Sequence, residues 1–370
     1  MTANPYAPLL TAIALLVAAC GSDCDGAGSS GGDGAGGSGG VSSSSGATGG
    51  TAGSSSGTGG AGLTEPCGSE SAAALLQCVD EQRYTDDLIA IALPRPPASA
   101  HWQTVQDLCA DRFEAHGFAV ERHDYGTGIN VIGVLTGSSK PAERVLVSAH
   151  YDSVDASCPA ADDNGTGVAA VLESARVLAM GSFARTLVVA CWDEEESGLV
   201  GSDAYAERAA GQGEQILVAF VYEMLGYVSH EPNSQELPYG FGLVFPDLVA
   251  ELAAKDNRGD FIAIVDDESA AVSAARLSTY GDLLGLENSV IELAADQKSS
   301  ALFGDLRRSD HASFWDRDYP AMFLTDTSEF RNSHYHCAGG PDIVSDLDHG
   351  FSANVIRATV GAAADALEIE

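Results

Sequence analysis

The 370-residue chain carries 18 Lys and Arg against 53 Asp and Glu, a formal net charge of −35. That acid excess argues against nucleic acid as a partner, because phosphates need Lys and Arg to displace their counterions. It argues equally against electrostatic docking on anionic lipid.

In chain order, residues 1–19 read as a signal peptide. The apolar run "LLTAIALLVAAC", Leu9 to Cys20, is too short to span a bilayer as a stable helix and ends in small residues before a Cys. "VAAC", Val17 to Cys20, resembles the lipobox of bacterial lipoproteins, in which the Cys becomes the lipidated first residue. The opening "MTANPYAP" departs from that pattern, since it has no Lys or Arg. The alternative is an ordinary signal peptide cleaved near Cys20. Either reading implies export, with membrane contact only through a lipid at Cys20. Residues 20–63 are a Gly/Ser-rich tract with no apolar surface to offset conformational entropy, and read as a disordered tether. Residues 64–370 remain for the folded part, enough for one large α/β domain or two small ones.

Export permits disulfides among the eight cysteines. Cys191 lies in an apolar strand and reads as a free buried thiol. No CxxC spacing occurs, which argues against a zinc–thiolate site.

Residues 71–93 read as a helix. "PRPPASAHWQ" interrupts it, and Ser99 caps the next helix, where Val105, Leu108, Cys109 and Phe113 recur at helical spacing. Cys78 and Cys109 would then sit on neighbouring helices, which makes Cys78–Cys109 one expected disulfide. "INVIGVLTG" and "RVLVSAH" are apolar strands. A helix from Gly165 to Ala179 follows, then a strand at Thr186–Trp192, a helix near Ser202–Ala210 and a strand at Ile216–Tyr222. This alternation implies an α/β fold with parallel strands and right-handed crossovers. Residues 228–325 are less regular, with a strand at Phe261–Val265, a helix around Ser269–Leu284 and a strand near Ala321–Leu324. No internal repeat is found.

Acids cluster where these strands end. "SAHYDSVDASCPAADDNGTG", Ser148 to Gly167, and "LVVACWDEEESGLVGS", Leu187 to Ser202, both pass from an apolar strand into carboxylates. Glu223 follows a third apolar run, and "RNSHYHCAGGPD" adds His334 and His336. In open α/β sheets ligands bind at the C-terminal ends of the strands.

Taken together, His150, Asp162, Glu196, Glu223 and His336 offer imidazole and carboxylate groups suited to zinc. Five such ligands exceed what one catalytic zinc needs and suit two Zn2+ ions sharing a bridging carboxylate, about 3.5–4 Å apart. In the doublet Glu195-Glu196 the two side chains point different ways, so one can bind metal while the other takes a proton from water. Each piece alone has a plainer explanation. A lone His at a strand end is more often a satisfied one, "DEEE" is usually a solvated loop, and "ADDNG" suits a turn and a helix N-terminus. Their order and shared position at strand ends favour a site.

The motifs "HYD", "ADDNGTG", "EESGLVGS", "EMLGY", "SDHASFW" and "RNSHYH", spread over about residues 80 to 365, resemble those of the co-catalytic zinc aminopeptidases of metallopeptidase family 28. The resemblance implies a three-layer α/β/α sandwich with a mixed, mostly parallel central sheet. It implies His150 as a ligand of one zinc and Asp152 as the group that orients it. Asp162 would bridge both ions, with a cis peptide at Asp162–Asp163. Glu195 would be the general base, Glu196 and His336 ligands of the second zinc, and Glu223 a ligand of the first. Tyr335 would donate to the developing oxyanion, and Asp310 would hydrogen-bond the base or serve structure alone. The chain departs from the pattern at Glu223, where many members carry Asp, and in "CAGGPD", which replaces a tighter run. Cys158 and Cys337 adjoin two metal-bearing loops, which makes Cys158–Cys337 a second expected disulfide. His123, His311 and His334 read as ordinary histidines, and Trp192 and Trp315 as packing.

The function these residues imply is release of the first residue from peptides with a free N-terminus, whose cationic amine suits an acid-rich site. Two other readings share the fold. One is a glutaminyl cyclase-like, single-zinc transferase, and the other a tethered binding protein without catalysis.

Overall fold

Successive residues of the central strands feed two separate cores. In the computed structural model Val145 and Val147 face one side of the sheet and Leu146 the other, each wholly buried. The structure describes residue 63 and residues 65–370, which belong to one compact unit. The signal-peptide, lipidation and tether expectations for residues 1–62 lie outside the described residues, as does Cys24.

The elements are α1 (Ala72–Leu76), α2 (Glu81–Ile91), α3 (Ala100–Ala115), β1 (Ala119–Asp124), β2 (Ile129–Leu135), β3 (Lys140–His150), α4 (Gly167–Leu178), β4 (Arg185–Trp192), α5 (Val200–Gln212) and β5 (Gln215–Glu223). They continue with α6 (Phe241–Val244), α7 (Pro246–Ala254), β6 (Ile262–Asp267), α8 (Ala271–Leu284), β7 (Asn288–Leu293), α9 (His311–Trp315), β8 (Ala321–Thr325) and α10 (His349–Leu367). The sheet runs β1-β2-β4-β3-β5-β8-β6-β7. Strands β4, β3, β5 and β8 are mutually parallel, β6 and β7 form a second parallel pair, and β1, β2 and the β8–β6 step are antiparallel. Residues of α1 to α4, α8 and α10 join the core on one face, and those of α5, α7 and α9 the core on the other. The result is the mixed, three-layer sandwich implied by the motifs. Among the described residues no helix is long and apolar enough to cross a membrane.

The single helix expected over 71–93 divides at Asp80, whose carboxylate accepts the N–H groups of Gln82 and Arg83 and starts a new helix. Ser99 caps α3 by accepting from the Trp102 N–H at 3.1 Å. Six elements go beyond the sequence reading: the short helices α6, α7 and α9, and β1, β7 and α10. β1 and β7 are edge strands, and β1 is mostly exposed and charged. α10 is buried along most of its length, so it shows no amphipathic stripe.

The expected Cys78–Cys109 disulfide is corrected. Cys78 pairs with Cys67, eleven residues earlier, with their Cα atoms 4.7 Å apart. Cys109 points from α3 into the core as a free buried thiol, as does Cys191. Its place on the inward stripe of α3 explains its spacing, and it lies beside the Cys191 thiol. Cys158 is bonded to Cys337, as expected.

Candidate metal centre

Parallel strands β3 and β5 end side by side, which brings His150 and Glu223 to one edge of the sheet. The segment leaving β4 supplies Glu195 and Glu196. Both of their backbone N–H groups donate to the Asp152 carboxylate, at 3.1 and 3.2 Å. The same carboxylate faces His150 Nδ1 at 3.3 Å. Asp152 thus fixes the backbone of the acid doublet and lies beside the imidazole that it was expected to orient.

The acid between the two histidines is Asp163, not Asp162. Its Oδ1 lies 3.4 Å from His150 Nε2 and its Oδ2 lies 3.2 Å from His336 Nε2. Glu223 stands 3.5 Å and Glu195 4.0 Å from His150 Nε2, and Glu196 stands 3.1 Å from His336 Nε2. Two groups result: His150, Glu195 and Glu223, and Asp163, Glu196 and His336.

Asp162 turns the other way. It accepts from the Gly226 N–H at 2.9 Å and from Asn332 Nδ2 at 3.1 Å, and so fastens the exit of β5 to the segment carrying His336. The cis peptide is likewise one residue later than expected, at Asp163–Asn164. The Asp342 carboxylate accepts the N–H groups of Asp162 and Asp163, each at 3.0 Å, and so sets which of the two side chains faces the histidines. No local signal in "ADDN" separates the two acids; Asp342 is about 180 residues away.

Electrostatics show what the cluster lacks. Burial raises the Glu195 and Glu223 carboxyls, against the pull of His150. Burial and the neighbouring Asp163 charge push Glu196 up to about 7. Burial works against the charge of Asp163 too, but hydrogen bonds from both imidazoles hold it below the usual carboxylate range. Burial opposes the charged form of His336, yet Asp163 and Glu196 raise it to about 10. Four carboxylates thus crowd two imidazoles in a buried space. Glu196 Oε1 is buried and has no hydrogen-bond partner among the described residues. Oxygen and imidazole donors in this surplus fit divalent zinc.

The remaining expected residues fall around this cluster. The Tyr335 ring stacks on His336 with centroids 3.8 Å apart, and its hydroxyl oxygen accepts from Arg308 at 3.0 Å. Asp310 is buried beneath the site, and burial pushes its carboxyl up to about 7. Neither of its oxygens makes the expected hydrogen bond to Glu195. Buried His311 stays neutral, stacks on Phe323 and bonds the Leu306 carbonyl. His334 pairs with Asp346, and His123 lies beside Asn130, both away from the cluster. Trp192 and Trp315 pack in the core. Sequence reasoning also missed Ser309, which donates to Glu223 Oε2 at 2.8 Å, and the buried Arg95.

A cleft opens over Asp163, Glu195, Glu223 and His336. Its far wall is apolar, with Phe241, Leu252, Phe261, Val265, Ile291 and Phe323.

The model of peptidase family M28 matches residues 130–358, a span that holds both groups of the cluster. The chain belongs to peptidase family M28. Among relatives, the uncharacterized protein YfbL of Escherichia coli (strain K12) is 30% identical over 226 residues, or 58% of this chain and 65% of that protein. A probable leucine aminopeptidase of Trichophyton verrucosum is 25% identical over 244 residues, or 63% of this chain and 54% of that protein. The chain therefore spans between about half and two thirds of the length of these curated relatives. The solved structure of the Legionella pneumophila LapA aminopeptidase superposes with a TM-score of 0.60 at 18% identity, over 80% of this chain and 74% of that one. That likeness is one of fold, and it matches the mixed sheet and flanking helices of this M28 member.

Proposed function

We propose that this M28 chain is an exported aminopeptidase that releases the first residue of peptides with two zinc ions and Glu195 as general base. The observation that carries the reading is the Asp163 carboxylate, which turns one oxygen toward each of two imidazole–carboxylate groups. His150 and Glu223 would hold one ion, Glu196 and His336 the other, and Asp163 both. Such ions supply Lewis-acid chemistry: they lower the pKa of water and polarise a scissile carbonyl.

Glu195 is left over once those ligands are assigned. It lines the cleft, and its backbone is fixed by Asp152. From there it can take a proton from water and return it to the departing amine. Because Arg308 donates to the Tyr335 oxygen, the Tyr335 O–H is free to donate to the oxyanion. The apolar wall suits a large apolar first side chain, in keeping with the leucine aminopeptidase name of a relative. Glu236 on the cleft wall suits the cationic amine, whereas Glu329 is already paired with Arg308. Two disulfides fit an oxidising destination.

The test is an assay of the zinc-loaded chain against aminoacyl anilides. Leucyl and phenylalanyl substrates should turn over fastest, and Glu195→Gln should lower kcat about 10²–10⁴-fold with metal content unchanged. Cyclisation of an N-terminal Gln peptide without amino-acid release would establish the single-zinc transferase reading instead. A zinc-replete protein that turns over nothing would establish a binding protein.

A further inference from the structure

The two histidines of the site are held by different means. His150 ends a strand hydrogen-bonded on both sides, and its side chain is 1% exposed. His336 comes from residues 326–343, which contain no strand and only single 3-10 turns at Ser328–Phe330 and Tyr335–Cys337, and its side chain is 35% exposed. His336 and Cys337 are both in the left-handed region, at φ 51° and 57°, with no glycine to ease the turn. Such backbone persists only where its surroundings hold it.

Cys337 is bonded to Cys158, 179 residues earlier. Cys158 is a fixed post. It is buried, and the carbonyls of the next two residues, Pro159 and Ala160, accept from the buried Arg95 guanidinium at 3.1 and 2.9 Å. That guanidinium also donates to the Tyr151 carbonyl at 2.8 Å. One side chain thus clamps both ends of the loop between His150 and the Asp163 turn. Past the bridge, Cys337 Sγ accepts from the Asp342 N–H at 3.3 Å, and Asp342 in turn holds the N–H groups of Asp162 and Asp163. The bridge therefore joins the arm bearing His336 to the clamped loop that leads to Asp163.

We infer that the Cys158–Cys337 disulfide is the positioning element of the second half of the site. It holds His336 toward Asp163 and Glu196, and so sets the affinity for one of the two ions while leaving the ion at His150 and Glu223 unaffected. This rests on the two-ion reading.

The test measures zinc stoichiometry and affinity by competition with a chromophoric chelator. It compares the wild-type chain, Cys158→Ala/Cys337→Ala, and Cys67→Ala/Cys78→Ala, which loses a bridge remote from the ligands. The wild type and the Cys67/Cys78 variant should bind two ions alike. The Cys158/Cys337 variant should keep one ion at unchanged affinity and bind the other about 10–100-fold more weakly, the range for loss of a group that orients a ligand. Two ions at wild-type affinity, or equal weakening of both, overturns the inference.

If that double variant does not fold, the folded, zinc-loaded Cys67→Ala/Cys78→Ala protein is treated with a water-soluble phosphine. The phosphine is oxidised to its oxide with the oxygen of one water as the disulfide becomes two thiols. Release of one zinc equivalent on cleavage supports the inference, and retention of both overturns it. A wild-type protein that binds fewer than two ions overturns the two-ion reading itself, which separates the two failures.

Discussion

The half of the candidate site around His150 and the half around His336 have the same residue types but different scaffolding. His150 and Glu223 occupy adjacent parallel strand ends, so backbone ladders set their spacing before any side chain acts. Glu196 and His336 meet through a loop and an arm, whose geometry depends on the Asp152 and Asp342 carboxylates and a disulfide. Identical chemistry can thus be secured by the sheet on one side and by cross-links between irregular segments on the other. Asp163 belongs to both, because its two oxygens divide between the histidines.

The strongest test of that division compares the two neighbouring acids. Asp163→Asn should weaken both ions by more than 100-fold, beyond the range for a partner one step removed from the metal. Asp162→Asn should leave both bound, because its oxygens serve Gly226 and Asn332, and should cost about 1–3 kcal/mol of stability. Zinc titration and urea unfolding of the pair decide the matter; the reverse outcome would restore Asp162 as the shared ligand.

A second contrast sharpens the scaffolding difference in the metal-free protein. His150→Ala strands the buried Glu195, Glu223 and Asp163 without their shared cation and should destabilise the fold by about 3–5 kcal/mol. His336→Ala removes a third-exposed imidazole from an arm and should cost about 1 kcal/mol or less. Unfolding in the presence of a chelator reads both, and equal losses would show that the arm is as integral to the fold as the sheet edge.

The smallest effect concerns a buried acid that faces neither histidine. Asp266 on β6 has no partner for either oxygen among the described residues, and burial, with Glu292 and Asp267 nearby, pushes it up to about 7. The folded chain therefore holds a proton that the unfolded chain releases near pH 4. Stability from this group is present below about pH 4 and falls as pH rises to about 7. Asp266→Asn should match the wild type near pH 4 and exceed it by on the order of 1–2 kcal/mol at pH 8, read by unfolding at both values.

Much of this molecule was legible along the chain. The apolar strands β3, β4, β5 and β8 stood out because each is buried on both faces, and five of the six candidate metal-centre residues sit in motifs that begin where strands end. Less visible were β1, whose edge position leaves it polar, and α10, whose burial on nearly all sides erases the helical stripe. The cysteines divided in the same way. Cys158–Cys337 was expected because both adjoin loops that the resemblance marks as metal-bearing, whereas Cys78 paired with the nearer Cys67.

By itself the sequence determined the α/β class, the edge of the sheet that carries the chemistry and the kinds of donor gathered there, because these depend on periodicity and residue type. Which of Asp162 and Asp163 faces the histidines was decided only in three dimensions. Adjacent side chains diverge, and the choice between them rests on backbone N–H groups that donate to Asp342 and on hydrogen bonds that Asp162 accepts from Gly226 and Asn332, residues remote in the chain and brought together by the fold.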